Sequence, residues 1–434
     1  MTAEIKIARQ VMTKKVAIIG TGIAGMTCAY LLHNKADIVV YEANDYVGGH
    51  TATKNVNVDD RNYAIDTGFI VYNEWTYPNF IKLMADLGVQ TQATEMSFSV
   101  KNNDSGLEYN GNTLNSLFAQ RRNLLSPNFY RLVFDIVKFN KLCKSHIEED
   151  KTTHGITLLD FIKSNGLSKI FTDNYILPMC AAIWSTSPSA SAAFPLSFFL
   201  KFFNNHGLLN ITNRPQWFTL VGGSNKYIGP LTKSYQDKIR LNSPVSKVKK
   251  LEGGYEVTSN EETGIFDHVV FACHSDQALK MLALESFDEA YKQDLVGILG
   301  AIPYTDNEVI MHTDIAQLPK RHLAWASWNY LIKDASDSPA SVTYNMNILQ
   351  RIKSETTFCV TLNNTSQIDP KKILGRYHYA HPQFSEKMVV AQQQRDKICG
   401  QHGLHFCGAY WYNGFHEDGV KSALDVAHRF GATL

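Results

Sequence analysis

Residues 14–42 read KKVAIIGTGIAGMTCAYLLHNKADIVVYE. Val16 to Ile19 is a short, wholly apolar run, the pattern of a strand buried inside a parallel sheet. The turn Gly20-Thr21-Gly22-Ile23-Ala24-Gly25 follows, then helix-forming residues from Met26 to Leu32 and a second apolar strand from Asp37 to Tyr41. Gly20 permits the tight turn off the strand. Gly22 lets the backbone approach a pyrophosphate, and Gly25 lets the helix pack closely on the strand. The helix start, with Thr21 and Ala24 in the same turn, offers free N–H groups and a positive dipole end to phosphates. Glu42 stands 22 residues after Gly20, placed to hold a ribose hydroxyl pair. Strand, glycine turn, helix, strand and acid in this order predict an α/β, Rossmann-like dinucleotide site. A glycine-rich turn without a ligand is the plain alternative.

The chain has 434 residues, enough for two or three domains or for two woven together. It carries 42 Lys+Arg against 41 Asp+Glu, so it lacks the cationic excess expected of a nucleic-acid binder. Hydrophobic residues make up 44%, which excludes intrinsic disorder. The seven Cys include no CxxC pair, and the odd number argues against a disulfide framework. Scattered thiols imply a reducing, cytoplasmic setting. Met1 to Lys15 lacks the apolar core of a secretory signal. The uncharged run Val16 to Leu32 nears the length of a membrane span, but its three glycines favour the soluble reading.

The residues after Glu42 read Ala43-Asn44-Asp45-Tyr46-Val47-Gly48-Gly49-His50-Thr51-Ala52-Thr53. They resemble the glycine-pair motif of FAD-dependent amine oxidases and phytoene desaturases. Glu42, Gly48 and Gly49 match that motif; Asn44, Tyr46 and His50 stand where the family has arginines. The resemblance implies FAD held through Gly48, Gly49, His50 and Thr51, more by backbone N–H groups than by side-chain charge. It also implies a hydrogen bond from His50 near the flavin, with a solvated turn histidine as the alternative. Further matches follow in the family's order. Asp66-Thr67-Gly68-Phe69 resembles the segment passing the flavin ring, which assigns Gly68. Val221 to Lys226 resembles the re-entry of the chain into the FAD domain, and Phe266 to Ala272 the strand returning to the sheet. Ser243 to Val248 resembles the strand whose valine, here Val245, contacts the adenine. Leu404 to Ala409 and Gly414 to Val420 resemble the closing strand, turn and helix. They assign Gly408, Phe415, His416 and Val420 to the cofactor, with the helix start near 416–420 directed at the flavin. No Ser-Gly-Gly-Cys motif is present, so FAD is expected to be non-covalent.

The resemblance implies a discontinuous FAD-binding domain over 12–75, 215–285 and 390–434. It is interwoven with an α+β substrate domain of 76–214 and 286–389. Helical patterns run over Trp75 to Leu87, closed by Gly88, and over Asn128 to Lys144 and Leu158 to Asn165. Alternating runs at Asn307 to Met311, Ala340 to Met346 and Thr357 to Leu362 predict an antiparallel sheet.

In flavin chemistry the cofactor carries the difficult step, so the protein need only position the substrate, exclude water and supply one base. The polar candidates nearest the inferred flavin are His50, Tyr72, Tyr379, His381 and His416. Phe415 and Tyr379 could form an aromatic cage. The set His378, His381, Cys399 and Cys407 fits no usual zinc spacing, and no metal is expected. Phe194-Pro-Leu-Ser-Phe-Phe-Leu-Lys-Phe-Phe203 holds five Phe in ten residues, reading as core or as the wall of an apolar tunnel. Arg121, Arg122, Lys138, Lys141 and Lys144 lie among apolar residues, as on a basic face at the inner side of a membrane. The Gly-Gly-His-Thr and Gly-Phe-His-Glu-Asp-Gly segments resemble a bacterial subgroup associated with cyclopropane-fatty-acid-synthase-like methyltransferases. That implies an FAD oxidoreductase acting on a fatty acyl chain, by desaturation or double-bond isomerisation with hydride transfer to flavin N5. Oxidation of a small amine or polyamine and a non-catalytic flavin-binding redox module are the alternatives.

Overall fold

The structure, a computed structural model, describes residues 13–153, 155–333 and 340–434. The leader reading over Met1 to Lys15 and the domain start at residue 12 fall largely outside them. A five-stranded parallel sheet is assembled from three distant parts of the chain. Its strands are β1 (Lys15–Ile19), β2 (Asp37–Tyr41), β3 (Ile239–Arg240), β4 (His268–Phe271) and β5 (Leu404–Phe406), in the order β3-β2-β1-β4-β5. Every pairing is parallel, and Val16, Ala17 and Ile18 of β1 are fully buried. Helix α1 (Ile23–Leu32) follows the glycine turn, and α2 (His416–His428) packs against it. Gly419 makes that contact close: a Cβ there would lie 2.6 Å from Ile23 Cγ2. All described parallel strands end at one edge of the sheet, where open α/β folds bind their ligands.

A second sheet of seven strands lies outside this unit, running from Ile373–Pro382 through Tyr304–His312, Cys359–Leu362, Ser341–Asn345, Trp328–Ile332 and Phe98–Asn102 to Glu108–Asn110. It is not wholly antiparallel as expected: Trp328–Ile332 pairs in parallel with Phe98–Asn102. Two strands from 76–214, the expected first insertion, thus complete a sheet built mainly from 286–389, the expected second. That insertion reads as helical because its strands are short and alternate weakly. Its helices Pro78–Asp86, Pro127–Glu148 and Leu158–Ser164 fall close to expectation, and a further helix, Leu196–Asn205, carries most of the phenylalanine-rich run. Gly88, with φ +66°, closes the first of them. Among the described residues no helix is long and apolar enough to cross a membrane. All seven cysteines are unpaired thiols, six of them buried.

Candidate functional site

The glycine turn divides its labour as the sequence implies. Gly20 sits at φ +107°, and a Cβ on Gly25 would lie 2.0 Å from the Gly20 carbonyl oxygen. Both are required for packing alone. Gly22 differs: a Cβ there meets nothing within 4 Å. It is also the N-cap of α1, where no side chain caps the free N–H groups and no acid lies in the first turn. An uncapped helix end beside open space suits a phosphate. Gly49, at φ +58°, comes within 3.2 Å of Gly22 as measured from an added Cβ, so the two glycine segments meet. The Gly48 N–H donates to the Thr21 hydroxyl at 3.4 Å.

Glu42 is buried at the end of β2. One carboxylate oxygen accepts from the Thr21 N–H at 3.0 Å and from the Thr21 hydroxyl. The other accepts from the Asn44 N–H at 2.9 Å and from Asn44 Nδ2 at 2.8 Å. Asn44, which replaces an arginine of the motif, therefore orients the acid. Val245 opens the strand Val245–Leu251, whose register partner there is Ser259.

Asp66 ties three segments together. It accepts from the Thr53 hydroxyl at 2.6 Å and from the Ser224 N–H and hydroxyl, each at 2.9 Å. Burial raises its pKa to about 6, against the pull of those donors. Gly223, at φ +102°, lets the loop lie over Thr53 and Asp66. Gly68 passes so close to residue 50 that a Cβ would fall 2.1 Å from the His50 carbonyl oxygen. The Gly408 N–H donates to Ser422 Oγ at 2.8 Å, and a Cβ there would strike the Tyr410 ring.

Four imidazoles gather beside these segments, none with a carboxylate hydrogen-bonded to it. His50 lies 5.2 Å from Tyr379, 5.5 Å from His381 and 5.9 Å from His274, between ring centroids. His50 Nε2 is buried and has no partner. That nitrogen is therefore free to meet a group from outside the chain. Burial, then the neighbouring His381, holds His50 well below the usual histidine range.

His381 is fixed by a chain of amides. Asn363 Oδ1 accepts from the Glu308 N–H at 3.1 Å, which turns Asn363 Nδ2 towards Asn307 Oδ1 at 2.8 Å. Asn307 Nδ2 in turn donates to the Thr305 carbonyl at 3.1 Å and lies 3.0 Å from His381 Nδ1. The backbone groups at both ends leave one consistent orientation for both amides. His381 Nδ1 is therefore an acceptor, and the proton of the neutral ring sits on Nε2. Protonating Nδ1 would set two donors against each other, in accord with burial and the nearby His274 lowering the pKa to about 4.

His416 opens α2, with Nε2 3.0 Å from the Thr51 hydroxyl and its ring stacked on Phe69 at 3.6 Å. Burial lowers its pKa to about 3. The two following acids complicate the dipole expected at this helix start. Glu417 accepts from the Phe80 N–H at 2.8 Å and from Asn79 Nδ2 at 2.6 Å, capping the helix Pro78–Asp86. Asp418 accepts from the Phe415 N–H at 2.9 Å, and burial raises its pKa to about 7. Val420 is fully buried in the same helix.

Tyr379 donates to or accepts from the Thr67 hydroxyl at 2.9 Å. Phe415 instead stacks on Phe202 at 5.3 Å, at the edge of an aromatic array that includes Trp184 and Phe203. The structure records no ring contact between Phe415 and Tyr379. Tyr72 is not brought to this cluster. Its ring stacks on Phe218 and touches Phe80, which stands between it and His416. Among the described residues no group of three or more His, Cys, Asp or Glu side chains is placed to hold a metal. His274, Asn307 and Asp418 escaped the sequence reading. His274 was findable, because it ends the loop leaving β4 at the sheet's ligand-binding edge.

The family model described as flavin containing amine oxidoreductase matches residues 23–314. The chain belongs to that family. FAD is accordingly its cofactor, and the chain is an FAD-dependent oxidoreductase. Solved structures of similar fold include cyclohexylamine oxidase from Brevibacterium oxydans, at 15% identity and TM-score 0.67 over 96% of this chain and 98% of that one. A CLA-producing fatty acid isomerase from P. acnes aligns over the same shares at 14% identity and TM-score 0.67. Reduced UDP-galactopyranose mutase aligns at 15% identity and TM-score 0.67 over 97% of this chain and 94% of that one. The open space at Gly22, the uncapped start of α1 and the orphaned His50 Nε2 fit such a cofactor.

Proposed function

We propose that this flavoenzyme acts on an apolar substrate, a fatty acyl chain undergoing desaturation or double-bond isomerisation. The observation that carries the reading is the site's neutrality. The four imidazoles are held uncharged, and Asp66, Glu417 and Asp418 are each committed to protein donors. Such a wall offers no counter-ion to a protonated amine, whereas the array from Phe415 to Trp184 offers apolar contact. FAD, bound non-covalently through Gly20 to Gly25, Glu42, Gly48 to Thr51, Gly68, Val245, Gly408, Phe415, His416 and Val420, would supply hydride acceptance at N5. His381 Nε2–H offers a donor and the unpartnered His50 Nε2 a second polar contact. Together they can orient one polar group and accept or return a single proton. Phe69 and Phe80 around His416 exclude water. Peripheral contact with a membrane belongs to this reading, because acyl chains reside in bilayers.

Oxidation of a small neutral amine is the second reading. The half-buried Tyr379 favours it, as does the likeness to cyclohexylamine oxidase and putrescine oxidase. Anaerobic mixing of the yellow protein with fatty acids, phospholipids and polyamines separates the two. Acyl substrates should bleach the flavin or emerge with moved double bonds. Bleaching by amines alone would overturn the acyl reading.

A further inference from the structure

The helix Pro127–Glu148 has one wall in the core and one in solvent. Phe139, fully buried, lies 5.2–6.0 Å from Phe161, Phe171 and Phe199. On the other wall Tyr130 (49% exposed), Phe134 (61%) and Val137 (47%) follow at spacings of four and three residues, which places them on one face. Leu124 (47%) and Leu125 (89%) in the turn just before continue the ridge, and the Tyr130 hydroxyl donates to the Leu124 carbonyl at 3.1 Å. Single exposed apolar side chains are ordinary, but five adjoining ones mark an interaction site.

The charge around the ridge is one-sided. From Tyr109 to Ile147 the chain carries Arg121, Arg122, Arg131, Lys138, Lys141 and Lys144 and a single acid, Asp135, while the exposed acids Glu148, Glu149 and Asp150 follow at the far end of the helix, beyond the ridge. Asp135 is buried and bonded to Arg131 at 3.1 Å and to the Ser168 N–H at 2.9 Å, so it faces no partner molecule. The chain as a whole is balanced at +1. An apolar ridge rimmed by cations is the surface that lies at an anionic lipid interface.

We propose that this face docks on an anionic bilayer, with Leu125, Phe134 and Val137 at the depth of the headgroups. A second copy fits poorly, because a two-fold contact would bring the cationic rims together. The opposite wall of the helix joins the aromatic core. From Phe139 the rings lead through Phe199, Phe203 and Phe202 to Phe415. The purpose of the contact rests on the acyl reading, but the contact itself does not.

Sedimentation of the full chain with vesicles of phosphatidylglycerol and of phosphatidylcholine tests it. Phosphatidylglycerol vesicles should carry the protein down, less so as salt rises, and phosphatidylcholine vesicles should bind at least about tenfold more weakly. Phe134→Ser with Val137→Ser should weaken binding at least about tenfold. Lys141→Gln and Lys144→Gln should each weaken it about fivefold. All four positions are exposed or half-exposed, so thermal unfolding should not move and lost binding would not reflect lost fold. Absence of the wild type from phosphatidylglycerol pellets, or equal binding by the serine variant, overturns the proposal. So does a wild-type dimer that the serine variant dissociates. Vesicle binding without any acyl turnover would leave this surface standing and remove the proposed function. Acyl turnover without vesicle binding would do the reverse.

Discussion

Gly22 and Gly25 stand in one turn yet answer to different demands. An added Cβ at Gly25 collides with backbone, whereas at Gly22 it enters open space. Gly25→Ala should therefore fail to give folded protein. Gly22→Ala should fold, with apo-protein melting almost unchanged, yet bind FAD at least about tenfold more weakly, because the methyl would hold a phosphate off the N–H groups at the helix start and weaken a charge-assisted hydrogen bond. Flavin titration with apo-protein melting checks both; a Gly22→Ala variant with native affinity would sink the assignment. A second prediction concerns His381. Asn307→Asp puts an acceptor against Nδ1 and should move the ring proton there, raising the His381 pKa by at least about one unit. Ring ¹⁵N shifts in labelled protein read the tautomer directly, and the acid limb of the rate profile should rise with them. An Nδ1 signal that stays bare in the variant would refute the amide chain.

At the scale of elements, the contact of α1 with α2 depends on Gly419. Gly419→Val should lower stability by about 1–3 kcal/mol through overpacking against Ile23. Urea unfolding with an unchanged slope would show it; no change in midpoint would mean that Ile23 swings aside freely. The same element shows what could be read beforehand. β1, α1 and β2 were legible to within a few residues, because an apolar run, three glycines and an acid each have a local cause. The pairing of Trp328–Ile332 with Phe98–Asn102 was not, because it joins segments about 230 residues apart and nothing local selects the partner. The site shows the same division. Spacing alone put Glu42 beside the glycine turn, where its carboxylate meets Thr21, whereas the Asn363-Asn307-His381 chain depends on three side chains meeting across neighbouring strands. Tyr72 was chosen for its chemistry, and packing placed it behind Phe80.

At the scale of the molecule, the titrating groups set a pH limit. Eight histidines (50, 206, 268, 274, 312, 381, 405 and 416) are held below their ordinary 6.5, chiefly by burial. Between about 4 and 6.5 the unfolded chain binds protons that the folded one refuses, so their contribution to stability falls as pH drops. Burial raises the pKa of Asp66 to about 6, that of Asp418 to about 7 and that of Glu417 above the ordinary carboxylate value, and these act in the opposite sense, because the folded state binds their protons first. Three groups against eight leave the histidines dominant. The melting temperature should fall steadily from pH 7 to pH 5, and a flat profile would contradict the buried neutral imidazoles.

The thiols supply a clock. Six of the seven cysteines are buried, and burial raises the pKa of Cys143, Cys180, Cys273, Cys359 and Cys399. Alkylating reagents attack thiolates, so the native chain should react slowly at every such position, with half-buried Cys273 the first to go. Cys180 shares the helix Leu177–Trp184 with Trp184 of the aromatic array, and Cys399 Sγ accepts from the Phe406 N–H of β5 at 3.4 Å, so their labelling rates would time the opening of these two places separately. If bound flavin slows Cys399 and leaves Cys180 unchanged, the cofactor stiffens the parallel sheet and not the aromatic array.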